Sequence, residues 1–404
     1  MGALQPIASL HSQTLDLPPS CAQFCPAHPE YLVVGTYNLE KDDHAGMKAS
    51  TKDKSGPSKP QNRNGSLVVF KTDGNKLIKV QTLSQPSALL DLRFYRDFPE
   101  HQDVLAVISS TGTLAVFKFD PIHDSDAPLK HLVTSRCEDL AEDVLFLQCN
   151  WHPTVQRVIA VTTSTGLARL LHLNEEWCIN SSTDLDIPNS LEAWCINFSP
   201  NSPATTKGQN AVTSVYCGGD DSMLRYTTCS WNDDNDESAA FSMPYTACIL
   251  KGQHDAGVTA ILPLHIKTPQ GGRVVITGSY DDHLRVFSIH DLHESYGLKR
   301  TQMMAETNLG GGVWRLDLID IRTNNDASKI RILASCMYAG ARLVEVVTDN
   351  GQDWSCNVLA RFEEHKSMNY ASDIVMSSDV DGVDKVRVVS TSFYDKLLCL
   401  WEYE

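Results

Sequence analysis

VVITGSYDDHLRVF, from Val274 to Phe287, is the stretch that decides the fold. It opens on alternating apolar residues and breaks at Gly278-Ser279 and Asp281. It then resumes as a second alternating run that ends on an aromatic. Period-two alternation on both sides of a short polar break marks two antiparallel strands joined by a tight turn. The pattern recurs. VVSTSFYDKLLCLW, Val388 to Trp401, has Asp395 in the break and closes on Trp401. VYCGGDDSMLRY, Val215 to Tyr226, has Asp221 at the same place. Weaker copies start at Val104 (VLAVISSTGTLAVF), Val158 (VIAVTTSTGLARLL) and Ile332 (ILASCMYAGARLVEV). A split copy has YLVVGTY at Tyr31 and SLVVF at Ser66.

A further short strand precedes these copies: ALLDLRF at Ala88, LFLQCNWHP at Leu145, AWCINFSP at Ala193, VTAILPL at Val258, GVWRLDLI at Gly312 and NYASDIVM at Asn369. His152-Pro153 and Ser199-Pro200 suit the turns that close two of them. Starts recur at spacings of roughly 50–60 residues, so the unit is a small sheet repeated seven times. A turn aspartate followed by a strand ending in an aromatic is the WD-repeat pattern. The expected fold is all-β, a single seven-bladed WD-repeat β-propeller over residues 1–404. The last copy runs to Glu404 without an outermost strand, and Ile7 to Leu15 (IASLHSQTL) alternates well enough to supply one. The N-terminal strand is thus expected to close the ring and remove an exposed sheet edge. Two polar stretches interrupt the pattern. Residues 41–65 are expected to be a disordered loop in the first blade, and 232–243 an acidic surface loop. Residues 201–210 form a third insertion.

Asp plus Glu number 50 against 34 Lys plus Arg, a formal net charge of -16. Such a surface repels phosphate backbones and anionic lipid, which argues against nucleic-acid and membrane partners. It attracts cations at long range, or serves solubility alone. The 12 cysteines lie mostly inside apolar runs with no CxxC pair, and they read as free, buried residues. The N-terminal stretch lacks a basic segment followed by an apolar one, and no run approaches about 18 apolar residues. A reducing, cytoplasmic setting and a monomeric chain are expected.

No nucleophile elbow, zinc-protease, phosphate-loop or dinucleotide motif is present. Gly310-Gly311-Gly312 leads into a strand rather than a helix, which argues against a phosphate site. In a propeller, ligand sites gather where turns and inner-strand starts meet the central channel. His254, Ser279 and Asp281 look like a serine triad by type. The stronger reading is a buried hydrogen-bonded network that holds the blade together. His365 and Asp395 repeat it in the last blade, with Phe393 at the serine place, which leaves His365 freer for chemistry. Trp314 and Arg315 follow the glycines at the start of the sixth blade's inner strand, where an aromatic beside a cation suits ligand binding or core packing. Asn369, Tyr370 and Asp373 hold the equivalent place in the seventh blade. Asp220 and Asp282 flank turn aspartates and are expected to point outward.

GGGVWRL at Gly310, HKSMNYASD at His365 and TSFYDKLLCLW at Thr391 resemble the WD-repeat diphthine methylesterase family. GGDDSMLR at Gly218, GSYDDHLRVF at Gly278 and WHP at Trp151 match it too. The resemblance covers essentially the whole chain and is strongest from Gly218 onward; it lapses over 41–65. It implies hydrolysis of the methyl ester of diphthine, a modified histidine of translation elongation factor 2. The products are diphthine and methanol, within diphthamide biosynthesis. The competing reading, from the fold alone, is a non-catalytic WD-repeat adaptor that scaffolds a protein complex. On the esterase reading, Trp314 and Tyr370 cage the substrate's trimethylammonium group, with Asp220 and Asp282 nearby. His365 activates water or a hydroxyl, oriented by Asp373 or Asp395, and Arg315 stabilises the oxyanion. No cofactor and no metal are expected.

Overall fold

The computed structural model describes residues 5–39, 63–200, 211–231, 241–324, 327–378 and 384–404. Its strands form seven antiparallel sheets of four or five strands each, taken in chain order. The innermost strands are Pro19–Phe24, Leu89–Phe94, Phe146–Trp151, Ala193–Phe198, Val258–Lys267, Arg315–Asn324 and Ser372–Ser378. Each touches the next, and the seventh touches the first. This is the expected seven-bladed β-propeller. The hairpins read from sequence form as pairs: Arg273–Ser279 with His283–Ile289, and Asp384–Ser392 with Leu397–Tyr403. Their apolar residues face neighbouring blades, so the core is a series of layers between sheets, such as Val274, Ile276 and Val286 against Ile330, Ile332 and Val344.

The ring is closed by the chain's own beginning. His11–Thr14 pairs antiparallel with Leu397–Leu400 as the outermost strand of blade 7. The strand is shorter than Ile7 to Leu15 because Ile7 crosses to blade 6, where its N–H donates to the Arg361 carbonyl at 2.7 Å. Deleting residues 1–15 is expected to bare the edge of Leu397–Tyr403 and to produce self-association with a lowered melting temperature. Light scattering and a melt compare the two chains; a monodisperse deletion that melts like the parent would refute the clasp.

Two loop boundaries differ from expectation. Asn38–Leu39 pairs with Arg63–Asn64, so residues 63–65 belong to a strand and not to the first loop. Phe241–Ser242 pairs with Ser230–Trp231, so the second loop also ends in sheet. Ladder bonds are backbone bonds, and polar residues can extend a hairpin that apolar alternation does not mark. The remainder of both stretches, 41–62 and 232–240, and the insertion 201–210 lie outside the described residues. All 12 cysteines are free, and ten are buried. Among the described residues no helix is long and apolar enough to cross a membrane.

Candidate active site

In blade 5 the histidine and the turn aspartate serve separate bonds. His254 Nε2 shares a 2.9 Å hydrogen bond with Thr277 Oγ1. Asp281 accepts the Asp255 amide at 2.9 Å and the Arg285 guanidinium at 2.8 Å. Ser279 Oγ donates to the Ala256 carbonyl. These bonds tie the preceding loop to the hairpin, and Ser279 Oγ faces a carbonyl and not the histidine. Blade 7 repeats the design. Its register pairs Val388 with Trp401, as Val275 pairs with Phe287, so Ser390 takes the place of Thr277. His365 Nε2 shares a 2.7 Å hydrogen bond with Ser390 Oγ, and Trp401 Nε1 donates to the same oxygen at 3.0 Å. Ser392, not Phe393, takes the serine place. Ser392 Oγ and Ser367 Oγ both donate to Asp395. The blade 7 turn is one residue longer than that of blade 5, and a gap-free comparison of the two hairpins hides the shift. The serine and aspartate contacts of blade 5 are thus repeated, and His365 is buried edge-on to Phe362, its Nδ1 without a partner among the described residues.

The extra turn residue pushes Phe393 toward the channel mouth. There it lines a cavity of about 270 Å3 with Tyr37, Trp194, Tyr280, Trp314 and Tyr370. Ser20, Leu90, Leu145 and Leu147 complete the wall, so all seven blades contribute. Ring centroids lie 5.0 Å apart for Trp314–Tyr370, 5.4 Å for Trp194–Trp314, 5.7 Å for Tyr280–Trp314 and 5.5 Å for Tyr370–Phe393. Gly311 is what lets the chain reach this position: a Cβ there would collide with the Cys336 carbonyl oxygen. Trp314 is then pinned by its amide, which donates to the Ser335 carbonyl at 2.8 Å. Trp314 and Tyr370 are thus brought together as expected of a ligand site. Asp220 is turned inward, accepting the Trp194 indole N–H at 2.6 Å, and burial raises its carboxyl above the usual range. Asp282 accepts the Tyr338 hydroxyl at 3.1 Å on the rim. Asn369 is buried and donates to the Thr391 carbonyl at 2.8 Å.

Deeper in the channel lies a second cavity of about 200 Å3, lined by Arg93, Arg96, Arg315 and Asp317 among others. Arg315 Nη2 donates to Asp91 at 3.0 Å, while its buried Nη1 has no partner among the described residues. Asp91 also accepts the Cys149 amide at 3.2 Å and lies 3.4 Å from Arg93 Nε. Asp373 accepts the Phe24 amide at 2.7 Å and Arg96 Nη2 at 3.2 Å. Arg315 therefore lines the channel, Asp373 holds Arg96 beside it, and His365 and Asp395 sit apart in the blade 7 network. Asp291, His293 and Glu294 bring ligand-type atoms together elsewhere, but Arg273 and Lys267 already neutralise the carboxylates.

No protein-family model matches the chain. It is 26% identical over 394 residues to diphthine methyltransferase of Schizosaccharomyces pombe, covering 96% of this chain and 95% of that one. The Saccharomyces cerevisiae protein of the same name is 24% identical over 445 residues, covering 99% and 100%. This chain resembles the diphthine methyltransferases nearly end to end. The diphthine methyltransferase homolog of Dictyostelium discoideum adds 24% identity over 414 residues, covering 97% and 98%. The crystal structure of Saccharomyces cerevisiae Sqt1 is similar at a TM-score of 0.55 and 13% identity, over 99% of this chain and 100% of that one, a likeness of fold. In this chain, similar to the diphthine methyltransferases, sequence reasoning missed Tyr37, Trp194, Tyr280 and Phe393 as cavity residues. It also missed Asp317, whose only signal is its place two residues after Arg315 on an alternating strand.

Proposed function

We propose that this chain hydrolyses the methyl ester of diphthine on translation elongation factor 2, releasing methanol, as a cytoplasmic step of diphthamide biosynthesis. The observation that carries this reading is the cavity walled by six aromatic rings at the channel mouth. A quaternary ammonium is drawn to ring faces within about 6 Å and gains about 2 kcal/mol or more when desolvated. A cavity near 270 Å3 suits such a group better than a drug-sized ligand. The formal charge of -16 adds attraction at long range.

In diphthine the ammonium and the carboxyl group share a carbon. A caged nitrogen therefore leaves the ester at the cavity floor, facing the channel that Arg315 lines, a guanidinium whose Nη1 has no partner among the described residues. That N–H suits a developing oxyanion. The relatives are named for methyl transfer. The cage favours removal of the ester methyl, since it selects a nitrogen that is already fully methylated. Asp395 then acts through the turn that carries Phe393, His365 through Ser390 of the same hairpin, and Asp373 through Arg96; all three are positioning residues. Asp220 does the same for Trp194.

The test uses elongation factor 2 bearing methyl-esterified diphthine, incubated with catalytic amounts of the protein in water enriched in heavy oxygen. Mass spectrometry is expected to show loss of the methyl ester and one labelled oxygen in the new carboxylate, with no methyl donor added. An unchanged peptide from folded protein, or a change that needs a methyl donor, would overturn the proposal.

A further inference from the structure

Three carboxylates lie among the arginines of the channel cavity: Asp91 and Asp373, which are buried, and Asp317, which lines it. Asp91 is engaged by Arg315, Arg93 and the Cys149 amide, and Asp373 by Arg96 and the Phe24 amide. Their lone pairs hold guanidinium groups and backbone in place. Asp317 differs. It lines the channel cavity with Arg315, and among the described residues no hydrogen bond reaches its carboxylate. It shares a face of the strand Arg315–Asn324 with Arg315, two residues deeper.

We propose that Asp317 is the general base of the ester hydrolysis, activating water for attack on a carbonyl whose ammonium neighbour sits in the cage. The inference rests on the esterase reading and names its missing catalytic group. The dimensions agree. The ester carbon lies about 2.5 Å from the ammonium nitrogen, two bonds away. An attacking water stands about 3–3.5 Å beyond it, and a base about 3 Å further. The strand begins at Arg315, just after Trp314, and rising about 3.3 Å per residue it carries Asp317 about 7 Å below Arg315.

The step balances as follows. The water oxygen forms a bond to the carbonyl carbon as its proton passes to the Asp317 carboxylate. The carbonyl oxygen becomes an oxyanion beside Arg315 Nη1. The intermediate collapses, the carbon–methoxy bond breaks, and the methoxy oxygen takes the proton back from Asp317 and leaves as methanol. The new carboxylic acid releases its proton to solvent.

The surroundings keep this carboxyl in a useful range. Burial first, then the charge of Asp373 on blade 7, push it up to about 6, against Arg93 and Arg96 of blade 2 and Arg315 of its own strand. The facing residues of blade 5, Ala260, Ile261 and Leu262, are uncharged. A base in this range is ionised at neutral pH and still basic enough to take a proton.

The experiment compares wild type, Asp317→Asn and Asp317→Glu on the methyl-esterified factor across pH, with choline binding read by tryptophan fluorescence. Wild-type turnover should rise through about pH 6. Asp317→Asn should lose about 10²–10⁴-fold in kcat with choline affinity unchanged. Asp317→Glu should retain part of the rate with a displaced acid limb. An inactive wild type would sink the esterase reading itself. An active wild type with an equally active Asp317→Asn would sink only the base. Should Asp317→Asn fail to fold, the glutamate variant decides: an acid limb that has not moved overturns the proposal.

Discussion

Between pH 6.5 and about 4.5 the folded protein is expected to lose about 5 kcal/mol of stability. Three histidines drive the loss. Burial holds His152 down to about 3, and His254 and His365 down to about 4, from an ordinary 6.5. His152 is wedged between Phe198 and Trp231, and its Nδ1 accepts the amides of Thr154 and Val155, an acceptor that a proton would abolish. The unfolded chain takes up a proton at each site as pH falls through 6.5, and the folded chain does not. A depressed histidine therefore contributes fully above the unfolded value and is lost as pH falls toward the folded one. Asp317 works in the opposite direction: its raised carboxyl favours the folded state as pH falls through about 6, and it offsets part of the loss. A domain stable by about 5–15 kcal/mol would stand near its unfolding limit. Melting temperatures across this range test it, and replacing His365 by glutamine should flatten the slope. A melting temperature that stays level down to about pH 5 would contradict the account.

Trp314→Ala should reduce kcat/KM for the methyl-esterified factor about 10²-fold or more, with little change in melting temperature. Trp314 is the ring the others share, in contact with Trp194, Tyr280 and Tyr370. Removing it takes away a cation-binding face and leaves the ammonium free to wander from the position that presents the ester to the channel. Trp314→Phe keeps a face and should recover most of the rate, with the remaining deficit in KM. Choline affinity should fall in parallel for the alanine variant. Full activity in Trp314→Ala would dismiss the cage.

The hairpins were legible because each arm carries its own alternation, and Val274 to Phe287 shows both arms and the turn without interruption. The inner strand of blade 1, Pro19–Phe24, was not, since polar Ser20 and Gln23 break up its apolar residues. The added residue in the blade 7 turn was invisible for a different reason. Turn length is fixed by strand register, and only the pairing of Val388 with Trp401 reveals that Ser392 has moved into the serine place. The cage was half legible. Trp314 and Tyr370 follow family-like motifs at blade starts, whereas Trp194 and Tyr280 look like ordinary aromatics of a strand and a turn. What joins the rings is the closure of seven blades around one axis, a property no local window holds.

Blade 7 supplies Tyr370 and Phe393 to the cavity and is finished by His11–Thr14 from the far end of the chain. Any coupling between ligand occupancy and the docking of that terminal strand acts by the same factor in both directions. A saturating quaternary ammonium should slow hydrogen exchange at the Leu400 amide. A nick that frees the first residues should weaken ligand affinity without touching a single ring. A growing chain completes blade 7 only when the strand Leu397–Tyr403 meets His11–Thr14.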